Sequence, residues 1–256
     1  MAFADAIRYS EIHHIEVVNA SFGWTFEQKG VNRRCGNNQE GVTGATLPEM
    51  IFMQGMMNST AAYAALFPSP SRTLYVFAAG NNSYDVDEAG VFDVPSEALR
   101  TVANVAPGLV IVGSALDRAN KAPSSSYGSS GGVDLFAPGV NWTSLLATGR
   151  PCECRTKSCR DGSGALLSVC LDTACPLDGT TGSICLDSGT SMASPVVASA
   201  AALLLASTTR LRGNPGAVRT ALTGTATLIN GFAICGSQSF PGRLLDAAGL
   251  LEMNAP

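Results

Sequence analysis

The residue best placed for chemistry is Ser191, which lies in a turn of small residues ahead of a long apolar segment. Gly189 precedes it by two residues, and an Ala/Leu-rich run from Val196 to Ala206 follows. Such a serine can act as a nucleophile, because glycine lets substrate approach and the N–H groups at a helix start attract a developing oxyanion. Pro195 fits a helix start, where early N–H groups lack intrahelical partners. The alternative is an ordinary core helix with a Ser/Thr cap.

Five segments of the chain resemble, in the same order, motifs of the subtilisin-like serine peptidases (subtilases). Gly189–Pro195 resembles the family's nucleophile motif, and Leu74–Asn81 resembles the buried strand that ends in its oxyanion-hole asparagine. Val17–Gly23 resembles the family's substrate-pairing strand, and Asp134–Val140 resembles the segment that precedes the serine. Gly242–Ala248 resembles the family's closing motif. The resemblance covers the chain from about Phe3 to Leu251.

The resemblance implies a role for each matching residue of a peptidase site. Ser191 would be the nucleophile, and the side chain of Asn81 would form an oxyanion hole together with the N–H of Ser191. Ser21, Phe22 and Gly23 would bind the substrate main chain by strand addition. Ala79 and Gly80 would line the primary specificity pocket, which receives a substrate side chain. Without the resemblance, Asn81 is an ordinary turn residue and Ser21–Gly23 is a strand end.

Two residues of the family's catalytic triad are expected to be missing. Subtilases carry, ahead of the five segments, an Asp in an Asp-[Ser/Thr]-Gly turn and a His in a His-Gly-Thr-His string, and we expect neither anywhere in this chain. The two histidines, His13 and His14, lie between the amphipathic stretch Phe3–Ile12 and the strand that begins near Ile15. Catalytic groups of parallel sheets gather beyond the carboxyl ends of strands, so His14 would lie at the opposite edge, roughly 20 Å away. Both histidines are therefore expected on the surface, away from the site.

The chain is accordingly identified as the C-terminal part of a subtilase catalytic domain. An N-terminal catalytic segment, in the same longer chain or a separate one, would have to supply the Asp and the His. By itself the chain is expected to be nearly inactive, because loss of the triad His costs about 10⁶ in turnover, a value that comes from subtilisin itself.

The hydrophobic pattern predicts alternating helices and strands. Helices are predicted over 3–14, 47–66 and 215–222, the last capped by Asn214, and strands over 15–21, 74–79, 102–106 and 109–114. The expected fold class is α/β, a three-layer subtilisin-like fold with a mostly parallel central sheet whose N-terminal strands are missing from this chain. Residues 1–256 would form one partial peptidase domain, with a cysteine-rich insertion over 148–183 within it.

Composition favours a well-buried globular protein. Hydrophobic residues make up 46% of the 256 residues and charged residues 14%, and the net charge of −4 gives no electrostatic reason to bind nucleic acid or an anionic membrane. No apolar segment reaches the ~20 residues that span a bilayer, so Val196–Ala206 is expected to be a buried helix. No cofactor is expected to be required, and structural calcium, which subtilases often bind, cannot be read from the sequence.

Six of the eight cysteines lie between Pro151 and Leu186. This density favours a disulfide-stapled insertion in an exported enzyme. A zinc site on Cys152-x-Cys154 and buried free thiols remain alternatives.

Three functions fit these observations. The first is a serine endopeptidase that acts on protein or peptide substrates, and the second is a non-catalytic subtilase relative that serves as a binding or scaffold module. A nucleotide-binding α/β domain is the third, but Gly-rich turns such as Ala79-Gly80-Asn81 lack a phosphate-binding fingerprint. The intact motif around Ser191 and the presence of Asn81 favour the peptidase.

Overall fold

The computed structural model describes residues 2–21, 59, 61–62, 64–67, 70–81, 86, 100, 102, 104–128, 131–145, 184–235 and 238–254. The helices with described bounds are α1 (Ala2–Ile12), α2 (Thr190–Ser207), α3 (Pro215–Thr225) and α4 (Ala247–Met253). The strands are β1 (Val17–Ala20), β2 (Leu74–Ala78), β3 (Leu109–Ala115), β4 (Leu135–Pro138), β5 (Trp142–Leu145), β6 (Ile184–Asp187), β7 (Thr227–Cys235) and β8 (Gln238–Leu244).

A six-stranded sheet with the strand order β1-β2-β3-β4-β8-β7 forms the centre of the described chain. Its first five strands in this order are parallel, and β7 runs antiparallel to β8. Among the described strands, β1 pairs with β2 alone. A separate antiparallel ribbon of β5 and β6 leads into α2. The predicted α/β class with a mostly parallel sheet is therefore confirmed.

The central strands β2 and β3 are buried on both faces because helices cover both faces. In β2, Tyr75 and Phe77 belong to the same buried cluster as Ile7 of α1. The intervening Leu74 and Val76 belong to a second cluster, which includes the apolar residues of α2, α3 and α4. This alternation at every second residue gives three layers, helix–sheet–helix, and explains why the strands read as continuous apolar runs.

The helix that carries Ser191, α2, packs across the centre of the sheet. Nine of its 18 residues are buried, and Val197, Ala201 and Leu204 are inaccessible to solvent. Of the described helices, α2 is the one that is long and apolar enough to cross a membrane by length and composition alone. Because half of it is buried against the sheet, it serves as the core helix that the sequence predicts.

A buried carboxylate connects β3, β4 and α3. Asp134, which directly precedes β4, accepts a hydrogen bond from the N–H of Ile111 at 2.8 Å. Its carboxylate also pairs with Arg219 at 2.7 Å and with Arg100 at 3.4 Å. Two guanidinium groups and a backbone donor thus compensate a charge that would be costly to bury alone.

Most predicted elements are confirmed where the structure describes them. The helix over 3–14 corresponds to α1, and the strands over 15–21, 74–79 and 109–114 correspond to β1, β2 and β3. Asn214 caps α3 as predicted, because its Oδ1 accepts the N–H of Ala217 at 3.0 Å. Of the helix predicted over 47–66, six residues are described: 59, 61, 62, 64 and 65 are helical, and 66 already lies in a turn.

The strand predicted over 102–106 is wrong for the residues that the structure describes. The N–H groups of Val105 and Ala106 both donate to the carbonyl of Val102, and a single 3₁₀ turn follows over 106–108. Val102 and Val105 lie three residues apart and are both buried. A tight turn therefore produces the same short apolar pattern as a buried strand. The cysteine-rich insertion over 148–183 lies outside the described residues and stays a prediction.

Candidate active site

Three segments meet at the carboxyl edge of the parallel sheet. Ser21 follows β1 directly, and Asn81 lies three residues beyond the end of β2. Both hydrogen-bond to the first turn of α2, although they lie 170 and 109 residues from their partners in the sequence. Neighbouring parallel strands end at the same edge, which brings residues from distant parts of the chain together.

Thr190, the residue before Ser191, holds the side chain of Asn81. The Oδ1 atom of Asn81 accepts the N–H of Thr190 at 2.8 Å and the Thr190 hydroxyl at 3.0 Å. Because a backbone N–H can only donate, the atom that faces it must be the amide oxygen, and this fixes which end of the amide carries the N–H donors. Thr190 itself is completely buried. Sequence reasoning gave Thr190 no role, since its contact with Asn81 depends on the fold.

The turn before Ser191 is tightly packed around two glycines. A Cβ atom on Gly189 would stand 3.0 Å from Nδ2 of Asn81. The N–H of Gly189 donates to the carbonyl of Gly139 at 2.7 Å. A Cβ atom on Gly139 would stand 2.6 Å from the Gly189 carbonyl and 2.4 Å from Oγ of Ser114. Two glycines thus allow the backbone before the helix to pack directly against β4 and Asn81.

Ser191 is half-buried and exchanges two hydrogen bonds with Ser21. The Ser191 hydroxyl donates to the carbonyl of Ser21 at 3.0 Å, and the Ser21 hydroxyl donates to the carbonyl of Ser191 at 2.9 Å. The predicted nucleophile therefore lies directly against the predicted substrate-binding strand end. Phe22 and Gly23, the other residues predicted at that strand end, lie outside the described residues.

The first turn of α2 offers backbone donors. Within the described part of the chain, no acceptor receives the N–H of Ser191, as expected for the second residue of a helix. The N–H groups of Met192 and Ala193 both donate to the carbonyl of Gly189, at 3.0 and 3.3 Å. The positive end of the helix dipole lies at the same turn. An oxyanion hole requires oriented N–H donors, and this turn, which Asn81 contacts through Thr190, supplies donors of that kind.

Pro195 lies deeper in the helix than the sequence interpretation assumed. Because α2 begins at Thr190, Pro195 is its sixth residue, beyond the four N–H groups that lack intrahelical partners. In a regular helix the N–H of residue 195 would donate to the carbonyl of Ser191, and proline has no N–H. The hydroxyl of Ser21 donates to that carbonyl instead.

Ala79 and Gly80 join β2 to Asn81. Ala79 is buried, and its N–H donates to the carbonyl of Val112 at 2.9 Å. Gly80 has a φ of 98°, a left-handed conformation that glycine adopts without strain. Its N–H donates to the hydroxyl of Thr190 at 3.1 Å, and its carbonyl accepts the N–H of Ser126 at 2.9 Å. The peptide before Asn81 is thus held from both sides.

A buried lysine supports the loop that contacts Gly80. Lys121 is 4% exposed, and burial lowers its pKa to about 8. Its ammonium donates to three carbonyl oxygens of its own loop, those of Ser125 at 2.7 Å, Ala122 at 2.9 Å and Pro123 at 3.3 Å. The next residue, Ser126, is the one that binds Gly80. Sequence reasoning missed Lys121, because a lysine in a polar loop is usually exposed.

The two histidines lie where the sequence analysis expects them. His13 and His14 are exposed in the turn after α1, ahead of β1 and so at the amino edge of the sheet. The ring of His13 packs against Tyr9, with 4.1 Å between the ring centroids. The structure therefore does not bring either histidine to Ser191.

One string of the form Asp-[Ser/Thr]-Gly does occur, Asp187-Ser188-Gly189, and the sequence analysis missed it. It does not precede the other motifs as the family's Asp turn does, but runs from the end of β6 into α2. Asp187 is exposed, and its carboxylate accepts the N–H of its neighbour Ser188 at 2.7 Å. Asp187 therefore matches the family's turn in sequence but not in its position along the chain.

Comparison with known proteins gives a family and a fold. The sequence model of the Subtilase family matches residues 1–249. No curated protein matches the chain significantly. Similar solved structures include a lanthipeptide protease (TM-score 0.56, 20% identity), a protease from Pseudoalteromonas arctica (0.53, 19%) and the patellamide maturation protease PatA (0.54, 19%).

These three structures match 98% of this chain, which covers 65%, 58% and 67% of their own lengths, respectively. At identities this low, the similarity establishes the fold. The family match extends over nearly the whole chain, and the parallel sheet and Ser191 at the start of a core helix agree with it. The chain belongs to the subtilase family of serine peptidases.

Proposed function

We propose that this chain carries the nucleophile and the oxyanion hole of a subtilisin-like serine endopeptidase. The observation that carries the proposal is the cluster at the start of α2, where Asn81 and Ser21 both hydrogen-bond to the turn that bears Ser191. A nucleophile, amide donors and a strand end that can pair with a substrate are thereby gathered at one edge of the sheet.

Peptide-bond hydrolysis would proceed through an acyl-enzyme. The Ser191 Oγ attacks the substrate carbonyl carbon while its proton passes to a histidine base, and the C–N bond breaks as that proton moves to the leaving amine. A water molecule then attacks the ester, gives its proton to the same base and releases a carboxylic acid. The base returns this proton to the Ser191 oxygen.

The oxyanion formed in these steps would be bound by Nδ2 of Asn81 and by the N–H of Ser191. Thr190 supports this role because it fixes the amide by its oxygen and so leaves the N–H₂ group as the donor end. Donors that are already oriented cost no reorganisation when charge develops, and this makes such groups effective.

The strand end at Ser21 would bind the substrate main chain. Its carbonyl would accept a substrate N–H in the manner of strand addition, together with Phe22 and Gly23, while Ala79 and Gly80 line the primary pocket. In the structure the Ser191 hydroxyl occupies that carbonyl, so an incoming substrate N–H would compete with it and free the hydroxyl for attack.

An N-terminal catalytic segment that carries Asp and His would complete the site. It would belong to the same longer chain or to a separate one. The single described neighbour of β1 supports this proposal, since an apolar parallel strand at a sheet edge offers a row of backbone groups to a further strand. Without that segment, hydrolysis would be slower by about 10⁶, a factor taken from subtilisin, a member of this family.

The substrates would be proteins or peptides, and the enzyme would act outside the cytoplasm. The cysteine-rich stretch between Pro151 and Leu186 supports export, because disulfides persist in oxidising compartments. The reaction itself requires no cofactor, and neither nucleic acid nor a membrane is proposed as a partner. A structural calcium ion would serve stability rather than the chemical steps.

A non-catalytic subtilase relative, used as a binding module, is the second candidate. The chain matches the family, but its two histidines lie at the sheet edge opposite Ser191, and this combination favours a binding module. It predicts that the native product begins at Met1 and does not hydrolyse peptides.

The experiment combines N-terminal sequencing and intact mass of the native product with hydrolysis of a quenched fluorescent peptide library. We expect an N-terminal extension with Asp and His motifs, and hydrolysis that Ser191→Ala abolishes. The matched control is Ser207→Ala, which removes a hydroxyl from the other end of α2 and should leave hydrolysis unchanged. A native start at Met1 without hydrolysis would favour the binding module.

A further inference from the structure

The carbonyl of Ser191 receives its hydrogen bond from outside its own helix. Pro195 cannot supply the N–H that would normally bind this carbonyl, and the hydroxyl of Ser21 donates to it at 2.9 Å. The backbone of the nucleophile is therefore held by a side chain at the end of β1. A hydroxyl has one hydrogen, so this contact exists only if that hydrogen points toward Ser191.

We propose that Asn19 is a positioning residue for the nucleophile, since its amide directs the Ser21 hydroxyl to the Ser191 carbonyl that Pro195 leaves without a helix partner. The inference deepens, and rests on, the proposed function of Ser191. Nδ2 of Asn19 donates to the Ser21 Oγ at 2.8 Å. Because an amide N–H cannot accept, the Ser21 hydroxyl must use its own hydrogen elsewhere, and the Ser191 carbonyl is the acceptor within reach.

The other end of the Asn19 amide contacts the same helix. The hydroxyl of Ser194, one turn beyond Ser191, donates to Oδ1 of Asn19. Ser194 is inaccessible to solvent, and its hydroxyl also lies 3.3 Å from the carbonyl of Val76. Three hydrogen bonds thus run in one direction, from Ser194 to Asn19, from Asn19 to Ser21 and from Ser21 to the Ser191 carbonyl. Successive hydrogen bonds in such a chain strengthen one another.

These hydrogen bonds join β1 to one turn of α2 at two residues, Ser191 and Ser194. The Ser191 hydroxyl must stand within about 3–3.5 Å of a substrate carbonyl bound along the end of β1. A link between the backbone of Ser191 and that strand end fixes this distance. Loss of one such neutral hydrogen bond costs on the order of a tenfold change in an equilibrium. We expect Asn19 to affect turnover because it helps to set the distance between Ser191 and the end of β1.

The first test reads the contact itself, in the native product. The dipeptide Ser-Met occurs once in the chain, at Ser191-Met192, so ¹³C-carbonyl serine and ¹⁵N-methionine labels give one cross-peak from the chain, identified by its loss in Met192→Leu. Asn19→Asp keeps the acceptor for Ser194 but cannot donate to Ser21. We expect it to move the Ser191 carbonyl resonance upfield, as loss of a donor does.

Three further variants sharpen this readout. Ser21→Ala should produce the same upfield shift, and it decides the question if Asn19→Asp fails to fold. Asn214→Asp, the same change at a helix cap that Asp also satisfies, should leave the resonance in place. With Pro195→Ala, residue 195 supplies the helical N–H, so Asn19→Asp should shift the resonance less. An unmoved resonance in a folded Asn19→Asp would overturn the proposal, and so would an unmoved resonance in Ser21→Ala.

The second test is kinetic. Asn19→Asp should lower kcat of the native product about tenfold with little change in KM, whereas Asn214→Asp should change neither. A normal kcat in Asn19→Asp would refute a positioning role. If the unmodified product hydrolyses no peptide, the proposed function of Ser191 fails, and the carbonyl resonance still decides whether Asn19 positions it.

Discussion

The two edges of the parallel sheet carry different kinds of residue. At the carboxyl edge, Ser191, Asn81 and Ser21 are joined by hydrogen bonds around one helix turn. At the amino edge, His13 and His14 are exposed, and neither faces a serine of that turn. The two histidines and Ser191 thus lie at opposite edges of the sheet.

The difference shows which half of the chemistry these residues can perform. The carboxyl edge is rich in oriented N–H and hydroxyl donors, which stabilise negative charge on a carbonyl oxygen. It has no described histidine to take a proton from Ser191. We therefore propose that these donors stabilise the oxyanion and that the base comes from another segment.

The largest effect is expected at Asn81. Asn81→Asp keeps an oxygen for Thr190 but replaces the two N–H donors by an oxygen that repels the oxyanion. In the native product, kcat should fall by about 10²–10³, a range that derives from subtilisin itself. Peptide hydrolysis under saturating substrate measures it, with Asn214→Asp as the control. Unchanged turnover would place oxyanion stabilisation elsewhere.

The buried Lys121 predicts an effect of pH on stability. Burial lowers its pKa from 10.5 to about 8. Between these values the unfolded chain holds a proton that the folded chain has released, so the free energy of unfolding should rise with pH, by up to about 3 kcal/mol. Below pH 8 both states are protonated and the burial penalty is fully present. Carbonyl acceptors stabilise the ammonium and reduce the rise.

Urea unfolding at pH 7.5 and pH 10 measures this effect. Lys121→Met lacks the titrating group, so the rise should be absent in that variant, while Lys121→Arg stays charged and should also show none. If the free energies of unfolding of the wild-type protein and Lys121→Met change by the same amount between these pH values, Lys121 does not titrate in this range.

The smallest effect is expected at the amino edge. The double variant His13→Gln, His14→Gln should leave kcat/KM of the native product within about twofold and its pH profile unchanged, because exposed substitutions away from a site have small effects. A tenfold fall, or loss of an inflection near pH 6–7, would show that this edge takes part in the reaction after all.

Local sequence signals were sufficient for the elements that position the site. Leu74–Ala78 and Leu109–Ala115 are continuous apolar runs, as buried parallel strands are, and Asn214 precedes a proline at the start of α3. The apolar run after Ser191 predicts a core helix for the same reason. At 102–106 a turn mimicked a strand, because two buried valines three residues apart fit either structure.

The contacts within the site could not be predicted from the sequence. Ser191 meets Ser21 across 170 residues, and Thr190 meets Asn81 across 109, so no local pattern records either pair. Pro195 is a more instructive case. Its helical position depends on where α2 begins, and only the observed start at Thr190 shows that it leaves the Ser191 carbonyl to a partner from β1.

The site of covalent labelling by a fluorophosphonate would identify the nucleophile. The native product would be treated with the probe, digested and analysed by mass spectrometry. The account predicts one adduct, on the peptide that contains Ser191, and its loss in Asn81→Asp along with most of the turnover. Hydrolysis that persists without an adduct at Ser191, or an adduct on a different serine, would contradict it.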